Sequence, residues 1–255
     1  MSRSVRVPGF LPSVNGLHFP NAFPHEPAIA VDVVPFGRVM IGDASNGLCG
    51  GMVFTVRDMF ETPGMAPLPD VSPPAPGTPL FEYLVARLID SFDLAHGGFM
   101  RYYHSMITPD HDTGWPPFFV RRGLAWETIA VEWATRIRPE LDAGRLCCLG
   151  LVTTSSTNPA DLGKNHQVLA YGYDLDDTDN LTLLVCDPNT GGAAADAVRI
   201  RLNLANPTRT TPISHNVNIG NPIRGCFRVE YERRDPSRLA TPAPAVSGAV
   251  PSGQH

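Results

Sequence analysis

The hydrophobic period of this chain changes near Gly144, and this change limits the possible folds more than any other feature of the sequence. Before it, apolar residues recur every three or four positions, which is the spacing of one helix face. After it, short β-prone segments alternate with turn-forming residues, as in strands joined by turns. The predicted helices are residues 49–60, 79–92, 124–137 and 139–143, and the predicted strands are residues 146–152, 166–173, 181–186, 197–202 and 225–231.

Helices that come first and strands that come later favour an α+β fold over alternating βαβ units. A chain of 255 residues fits one domain of ordinary size. We therefore predict one domain over residues 1–235. Its helical half, about residues 43–145, would pack on an antiparallel sheet formed by about residues 146–235.

Two segments are rich in proline, which lacks a backbone N–H and has a fixed φ. Residues 62–79 (TPGMAPLPDVSPPAPGTP) therefore predict a long extended surface loop. Residues 236–255 consist largely of Ala, Pro, Ser and Gly with few large apolar residues, so we expect a disordered tail.

The charge of the chain argues against two classes of partner. The net charge is −5 and the pI is about 5.9, so neither nucleic acid nor an anionic membrane surface is attracted. No apolar run has the length of a membrane span, and residues 1–16 contain no apolar run of signal-peptide length. We expect a cytoplasmic protein, and export by a route that needs no such signal stays open.

The five cysteines do not have the spacing of a disulfide framework or of a structural zinc site. Four of them lie in apolar, strand-like segments and are expected to be small buried hydrophobes: Cys147, Cys148, Cys186 and Cys226. Cys49 differs, because it follows a polar turn and begins a predicted amphipathic helix within residues 43–52 (DASNGLCGGM). The free N–H groups of a first helical turn stabilise a thiolate, which is the nucleophilic form of cysteine. In the alternative interpretation Gly50 and Gly51 mark a loop, the helix starts later, and Cys49 is only buried.

Two further residues have positions that suit a partnership with this thiol. His166 opens one predicted strand, and Asp187 ends the next, before Pro188. The polar segment between the strands (DLDDTDN) predicts a hairpin, which would place His166 and Asp187 at the same end of neighbouring strands. A carboxylate there can hold the imidazole in the orientation that accepts the thiol proton. Taken singly, each has an ordinary alternative, a structural or surface histidine and a turn aspartate.

The order of a helix-start Cys, a strand-start His and a strand-end Asp resembles that of the papain-like cysteine peptidase superfamily. The segments "NHQVLAYGYD" and "LLVCDPN" are most similar to the C39-like peptidase branch. The resemblance covers about residues 43–60 and 164–189. It implies a papain-like fold, a catalytic triad of Cys49, His166 and Asp187, hydrolysis of a peptide or amide bond in a peptide or protein substrate, and no cofactor or metal.

The chain departs from that family at the oxyanion site. The family usually has a Gln six residues before the nucleophile, and this chain has Asp43 there, which cannot stabilise negative charge when ionised. Asn46, together with the backbone N–H of Cys49, is the predicted substitute. A missing oxyanion donor would lower turnover by roughly 10²–10³-fold.

Two other functions stay open beside hydrolysis. Acyl transfer or deamidation of the transglutaminase type uses the same triad and the same thioester. A non-catalytic papain-like binding or assembly module would account for Asp43.

Other polar and aromatic residues suggest weaker alternatives. The histidines of the middle segment have no metal-ligand spacing: His96, His104 and His111. The acidic turn lacks the Gly and the final Glu of a calcium-binding EF-hand loop: Asp174, Asp176, Asp177 and Asp179. We expect the tryptophans in the core or in a cleft wall rather than in a nucleic-acid stacking surface: Trp115, Trp126 and Trp133.

Overall fold

The computed structural model describes residues 2–23, 27–33, 37–43, 48–93, 97–115 and 118–240. Its strands are β1 (Arg3–Arg6), β2 (Pro27–Val33), β3 (Gly37–Asp43), β4 (Thr113–Trp115), β5 (Phe119–Arg121), β6 (Cys147–Val152), β7 (His166–Leu175), β8 (Asn180–Cys186), β9 (Arg199–Asn203), β10 (Ser214–His215) and β11 (Gly225–Arg228). Its α-helices are α1 (Pro12–Asn15), α2 (Cys49–Phe60), α3 (Pro79–Ser91), α4 (Gly98–Ile107), α5 (Leu124–Trp126) and α6 (Arg138–Asp142). A π-helical segment, Glu127–Ile137, joins α5 to α6, and 3-10 turns occupy Pro159–Lys164, Gly192–Ala197 and Ser237–Ala240.

A seven-stranded antiparallel sheet forms the centre of the fold, in the order β10-β9-β8-β7-β6-β11 with β1 also paired to β7. On one side of β7, Leu151 of β6 pairs with His166. On the other side, Cys186 of β8 pairs with Leu169. This register brings the first residue of β7 and the residue after β8 to the same edge of the sheet. The predicted combination of helices with an antiparallel sheet is confirmed.

Helices α2 and α3 pack against each other as an antiparallel pair, at a distance that only glycine allows. A Cβ on Gly51 would lie 2.1 Å from the carbonyl oxygen of Leu84 in α3, and one on Gly50 would lie 2.2 Å from Ser91 Oγ. The two glycines cost helix propensity, roughly 1 kcal/mol each, and permit this close contact. The pair fixes the start of α2 against the end of α3.

We expect Gly51→Ala to destabilise the fold by about 2–3 kcal/mol, because the added methyl group meets backbone that cannot move cheaply. Thermal unfolding followed by circular dichroism measures the effect. Gly220→Ala is the matched control, since a Cβ on Gly220 would have no neighbouring atom within 4 Å. A Gly51→Ala protein as stable as the Gly220→Ala protein would contradict the close contact.

The core is formed where the helices meet the sheet. Helix α2 packs against β7, and the π-helical segment packs against β11. Trp133 of that segment is 4% exposed and meets Tyr173 of β7 edge to face at 4.9 Å. A second apolar cluster joins Leu48 and Met52 to α3 and to the phenylalanines of the N-terminal segment.

A buried ion pair lies within the α2–α3 contact. Asp58 of α2 is fully buried, and its carboxylate lies 2.7 Å from Nε of Arg87, which is 1% exposed. The same carboxylate accepts hydrogen bonds from the hydroxyls of Tyr83 and Tyr231 and from the backbone N–H of Arg234. One side chain of α2 therefore holds both α3 and the segment that follows β11.

The proline-rich segment forms an exposed connection within the helical part of the chain. Residues 61–78 are mostly exposed and contain no helix or strand, as predicted. They join the end of α2 to the start of α3, and the end of α2 is about 16 Å from its start at 1.5 Å per residue.

Several elements were not predicted from the sequence. Strand β1 belongs to a sheet that was expected to begin near residue 146. Three further elements lie in segments whose hydrophobic residues show no clear period: the hairpins β2–β3 and β4–β5 and helix α4. Ser237–Ala240 forms a 3-10 turn within the predicted disordered tail, and residues 241–255 lie outside the described residues. Trp115, expected in the core or in a cleft wall, is 73% exposed on β4. Among the described helices, none combines the length and apolarity needed to cross a bilayer.

Candidate active site

Cys49 is the first residue of α2, and the residue as a whole is partly exposed. The preceding residue, Leu48, is fully buried and has no side-chain acceptor, so it cannot cap the N–H groups of the first turn. These N–H groups and the helix dipole favour negative charge at this position. The alternative in which the helix begins after the glycines is wrong, because both glycines are helical.

His166 and Asp187 meet at the sheet edge that faces this helix start. His166 Nε2 lies 2.8 Å from Asp187 Oδ1, and the two residues are 6% and 1% exposed. The charge of His166 also lowers the pKa of the Cys49 thiol, so the two side chains lie close to each other. Since Nε2 is engaged by the carboxylate, the other ring nitrogen, Nδ1, is left for the sulfur. The structure thus brings together the three residues that the sequence pattern singled out.

Asp187 is held by four donors. Oδ1 accepts from His166 and from the backbone N–H of Asn189 at 3.1 Å. Oδ2 accepts from Thr190 Oγ1 at 2.8 Å and from the backbone N–H of Asn218 at 2.9 Å. Burial raises the pKa of this carboxyl, but the His166 contact and the backbone donors outweigh burial, so its pKa lies below the ordinary value of 3.8. The carboxylate is therefore ionised and fixed in orientation.

The electrostatics of Cys49 and His166 are coupled. Burial raises the pKa of the Cys49 thiol, but the charge and hydrogen bond of His166 and the backbone N–H groups of Gln167 and Gly50 bring that pKa below 9.0. Burial lowers the pKa of His166, but the thiolate and Asp187 raise it well above 6.5. Between the two pKa values the pair exists as thiolate and imidazolium, the reactive form of a cysteine nucleophile.

Comparisons with protein-family models, curated proteins and solved structures find no match to this chain. The chemistry of the site is therefore the basis for assigning a function.

The other four cysteines have the opposite character. All are buried, and burial raises the pKa of each thiol: well above 9.0 for Cys147, to about 11 for Cys148 and to about 12 for Cys186 and Cys226. They match the prediction of small buried hydrophobes. Cys49 is the thiol that combines partial exposure with a lowered pKa.

The predicted oxyanion residues are only partly covered by the structure. Asn46 lies outside the described residues, and Asp43 is the last residue of β3. Strand β3 lies against the 3-10 turn Pro159–Lys164, which leads into His166.

Sequence reasoning missed the buried polar residues that connect β7 to the end of α3 beside Cys49. Gln167 is 3% exposed, its backbone N–H helps to lower the pKa of the Cys49 thiol, and its Nε2 donates to Ser91 Oγ at 3.1 Å. Ser91 in turn donates to the carbonyl of Leu88 at 2.7 Å. A glutamine in an otherwise apolar strand was the available signal, because a buried amide needs partners.

The alternative site residues have other surroundings. His104 is exposed and lies 3.7 Å from Glu127, His111 lies near Thr210, and His96 is outside the described residues. Asp176 accepts hydrogen bonds from Thr178 and Asn180 within its own turn. Over the described ranges, no group of three or more His, Cys, Asp or Glu side chains is placed to hold a metal ion.

Proposed function

We propose that this protein is a thiol hydrolase with a papain-like fold that cleaves a peptide or amide bond. The observation that carries the proposal is that the Cys49 thiol, whose pKa is lowered by His166, and the buried Asp187 carboxylate, 2.8 Å from His166 Nε2, act on the same imidazole. A histidine that bridges a nucleophile and an orienting carboxylate is the recurring arrangement of acyl-transfer enzymes. A non-catalytic module has no need of a depressed thiol pKa at a helix start.

The first half of the reaction forms a thioester. The Cys49 thiolate attacks the carbonyl carbon, and its electron pair forms the C–S bond while the carbonyl oxygen becomes an oxyanion. The imidazolium of His166 then gives a proton to the leaving nitrogen, and the C–N bond breaks. Asp187 keeps the ring directed at both groups and stabilises its positive charge.

The second half releases the acyl group to water. Neutral His166 takes a proton from water, the resulting hydroxide attacks the thioester, and the C–S bond breaks to regenerate the thiolate. The backbone N–H of Cys49 is the natural oxyanion donor, since the N–H groups of the first turn of α2 have no partner within the helix. Atoms and charge balance without a cofactor.

A direct test combines alkylation with cleavage. We expect iodoacetamide near neutral pH to label Cys49 at least about 100-fold faster than the four buried thiols, because thiolate and not thiol reacts. Peptide mapping by mass spectrometry locates the adduct. A complex peptide mixture incubated with the protein should then show new termini that are absent with Cys49→Ala.

The outcomes separate the candidate functions. Equal or slower labelling of Cys49 would overturn the proposal. Addition of a primary amine to the same peptide mixture distinguishes hydrolysis from transfer, because a transferase links the amine to the acyl group. Amine incorporation without new carboxyl termini would replace hydrolysis by transglutaminase-type transfer.

A further inference from the structure

The start of α2 and the loop that carries Asp187 come from distant parts of the chain, and one amide side chain joins them. Asn21 Oδ1 accepts a hydrogen bond from the backbone N–H of Leu48 at 2.7 Å, and Asn21 Nδ2 donates to Asn189 Oδ1 at 3.0 Å. The first contact fixes the orientation of the amide, because an N–H can pair only with its oxygen. Asn21 therefore touches the residue before the nucleophile and the second residue after the carboxylate.

The bridge continues to the carboxylate. The backbone N–H of Asn189 donates to Asp187 Oδ1 at 3.1 Å. The side chains of Asn189 and Asn218 each donate to the other's backbone carbonyl, at 3.0 and 2.9 Å. The backbone N–H of Asn218 donates to Asp187 Oδ2 at 2.9 Å. Three asparagines thus connect Leu48 to both oxygens of Asp187.

We propose that Asn21 is a positioning residue that fixes the location of Cys49 relative to His166 and Asp187. It acts through its hydrogen bonds to Leu48 and Asn189. This inference rests on the proposed function. An amide suits this task because it has a donor and an acceptor on one rigid group, matching an N–H on one side and a carbonyl oxygen on the other. An aspartate would keep the acceptor, lose the donor and place a negative charge beside the thiolate.

The test compares Asn21→Leu, which keeps the approximate size and removes both hydrogen bonds, with the wild-type chain. The rate of Cys49 alkylation by iodoacetamide is measured across pH, together with the melting temperature. We expect a rate roughly 10–100-fold lower near neutral pH, since small displacements of reacting groups have effects of this size. We also expect the pH midpoint of labelling to rise, because the thiolate moves away from the imidazolium. A merely structural role would change the melting temperature and leave this midpoint where it is.

Asn203→Leu is the matched control. Asn203 also makes side-chain amide hydrogen bonds, to Thr178 and Asn180, at the far end of the β8–β9 hairpin. Asn21→Asp serves if Asn21→Leu does not fold, and it too should raise the midpoint. Asn189→Leu should lower the rate and raise the midpoint at least as much as Asn21→Leu, because it also removes the hydrogen bond to the Asn218 carbonyl. The double variant should lose little more than Asn189→Leu alone, because that variant already breaks the bridge to Asn21.

The result also separates this inference from the function on which it rests. Slow labelling of wild-type Cys49 would overturn the proposed function and the positioning role together. Fast wild-type labelling, with Asn21→Leu and Asn21→Asp both unchanged in rate and midpoint relative to Asn203→Leu, would overturn the positioning role alone.

Discussion

Replacement of His166 by alanine is expected to lower the rate of Cys49 alkylation at about pH 6.5 by roughly 10²-fold, because a thiol of pKa near 9 is almost entirely protonated there. His166 supplies the charge and the hydrogen bond that oppose burial at Cys49. Without them burial dominates, and the thiol pKa rises above its ordinary value. The difference in alkylation rate between the two proteins should decrease as the pH approaches the raised thiol pKa of the variant, because Cys49 is then a thiolate in both.

Stopped-flow or mass-spectrometric labelling rates across pH measure this effect. His104→Ala is the control, because His104 is an exposed histidine whose ion-pair partner is Glu127. It should leave both the rate and the midpoint unchanged. A His166→Ala protein that labels at the wild-type rate near pH 6.5 would contradict the coupling of ring and thiol.

Asp58→Ala is expected to have the largest effect on stability, a loss of about 3–5 kcal/mol in the free energy of unfolding, because the buried Arg87 guanidinium loses its buried carboxylate and keeps only the partly exposed Asp90 as an ionic partner. Arg87 is 1% exposed and cannot reach water without moving α3. The hydroxyls of Tyr83 and Tyr231 and the N–H of Arg234 would lose their acceptor as well. Chemical denaturation followed by circular dichroism measures the change.

The control for this variant is Asp174→Ala, which removes an exposed ion pair with Arg6. Exposed pairs contribute about 0–1 kcal/mol, so this variant should remain close to the wild type. Equal stability of the two variants would show that the buried pair does not hold the helices and the segment after β11 together.

Local patterns sufficed for the elements that carry the candidate triad. Helix α2 has the predicted bounds because its apolar stripe and the polar turn before Cys49 are both local signals. Strands β7 and β8 were predicted because short β-prone segments between turn-forming residues are local signals as well. The predicted hairpin between the two strands then placed His166 and Asp187 at the same end of the strand pair.

The supporting contacts depend on distant pairings that no local pattern encodes. Asn21 lies in a segment without a clear period, and its partners are 27 and 168 residues away. Strand β1 was missed for the same reason, because four residues of mixed polarity become a strand only beside β7. The same holds for Gln167, whose partner Ser91 is 76 residues distant.

The position of residues 61–78 has a consequence for how the molecule can be divided. Cys49 precedes this exposed segment, whereas His166 and Asp187 follow it, and the segment begins at the end of α2, about 16 Å along the helix from Cys49. Proteolytic nicking at such loops is commonly tolerated. A cut there would yield two polypeptides, one with the nucleophile and one with its base, held together by the α2–α3 contact and able to be expressed as complementing fragments.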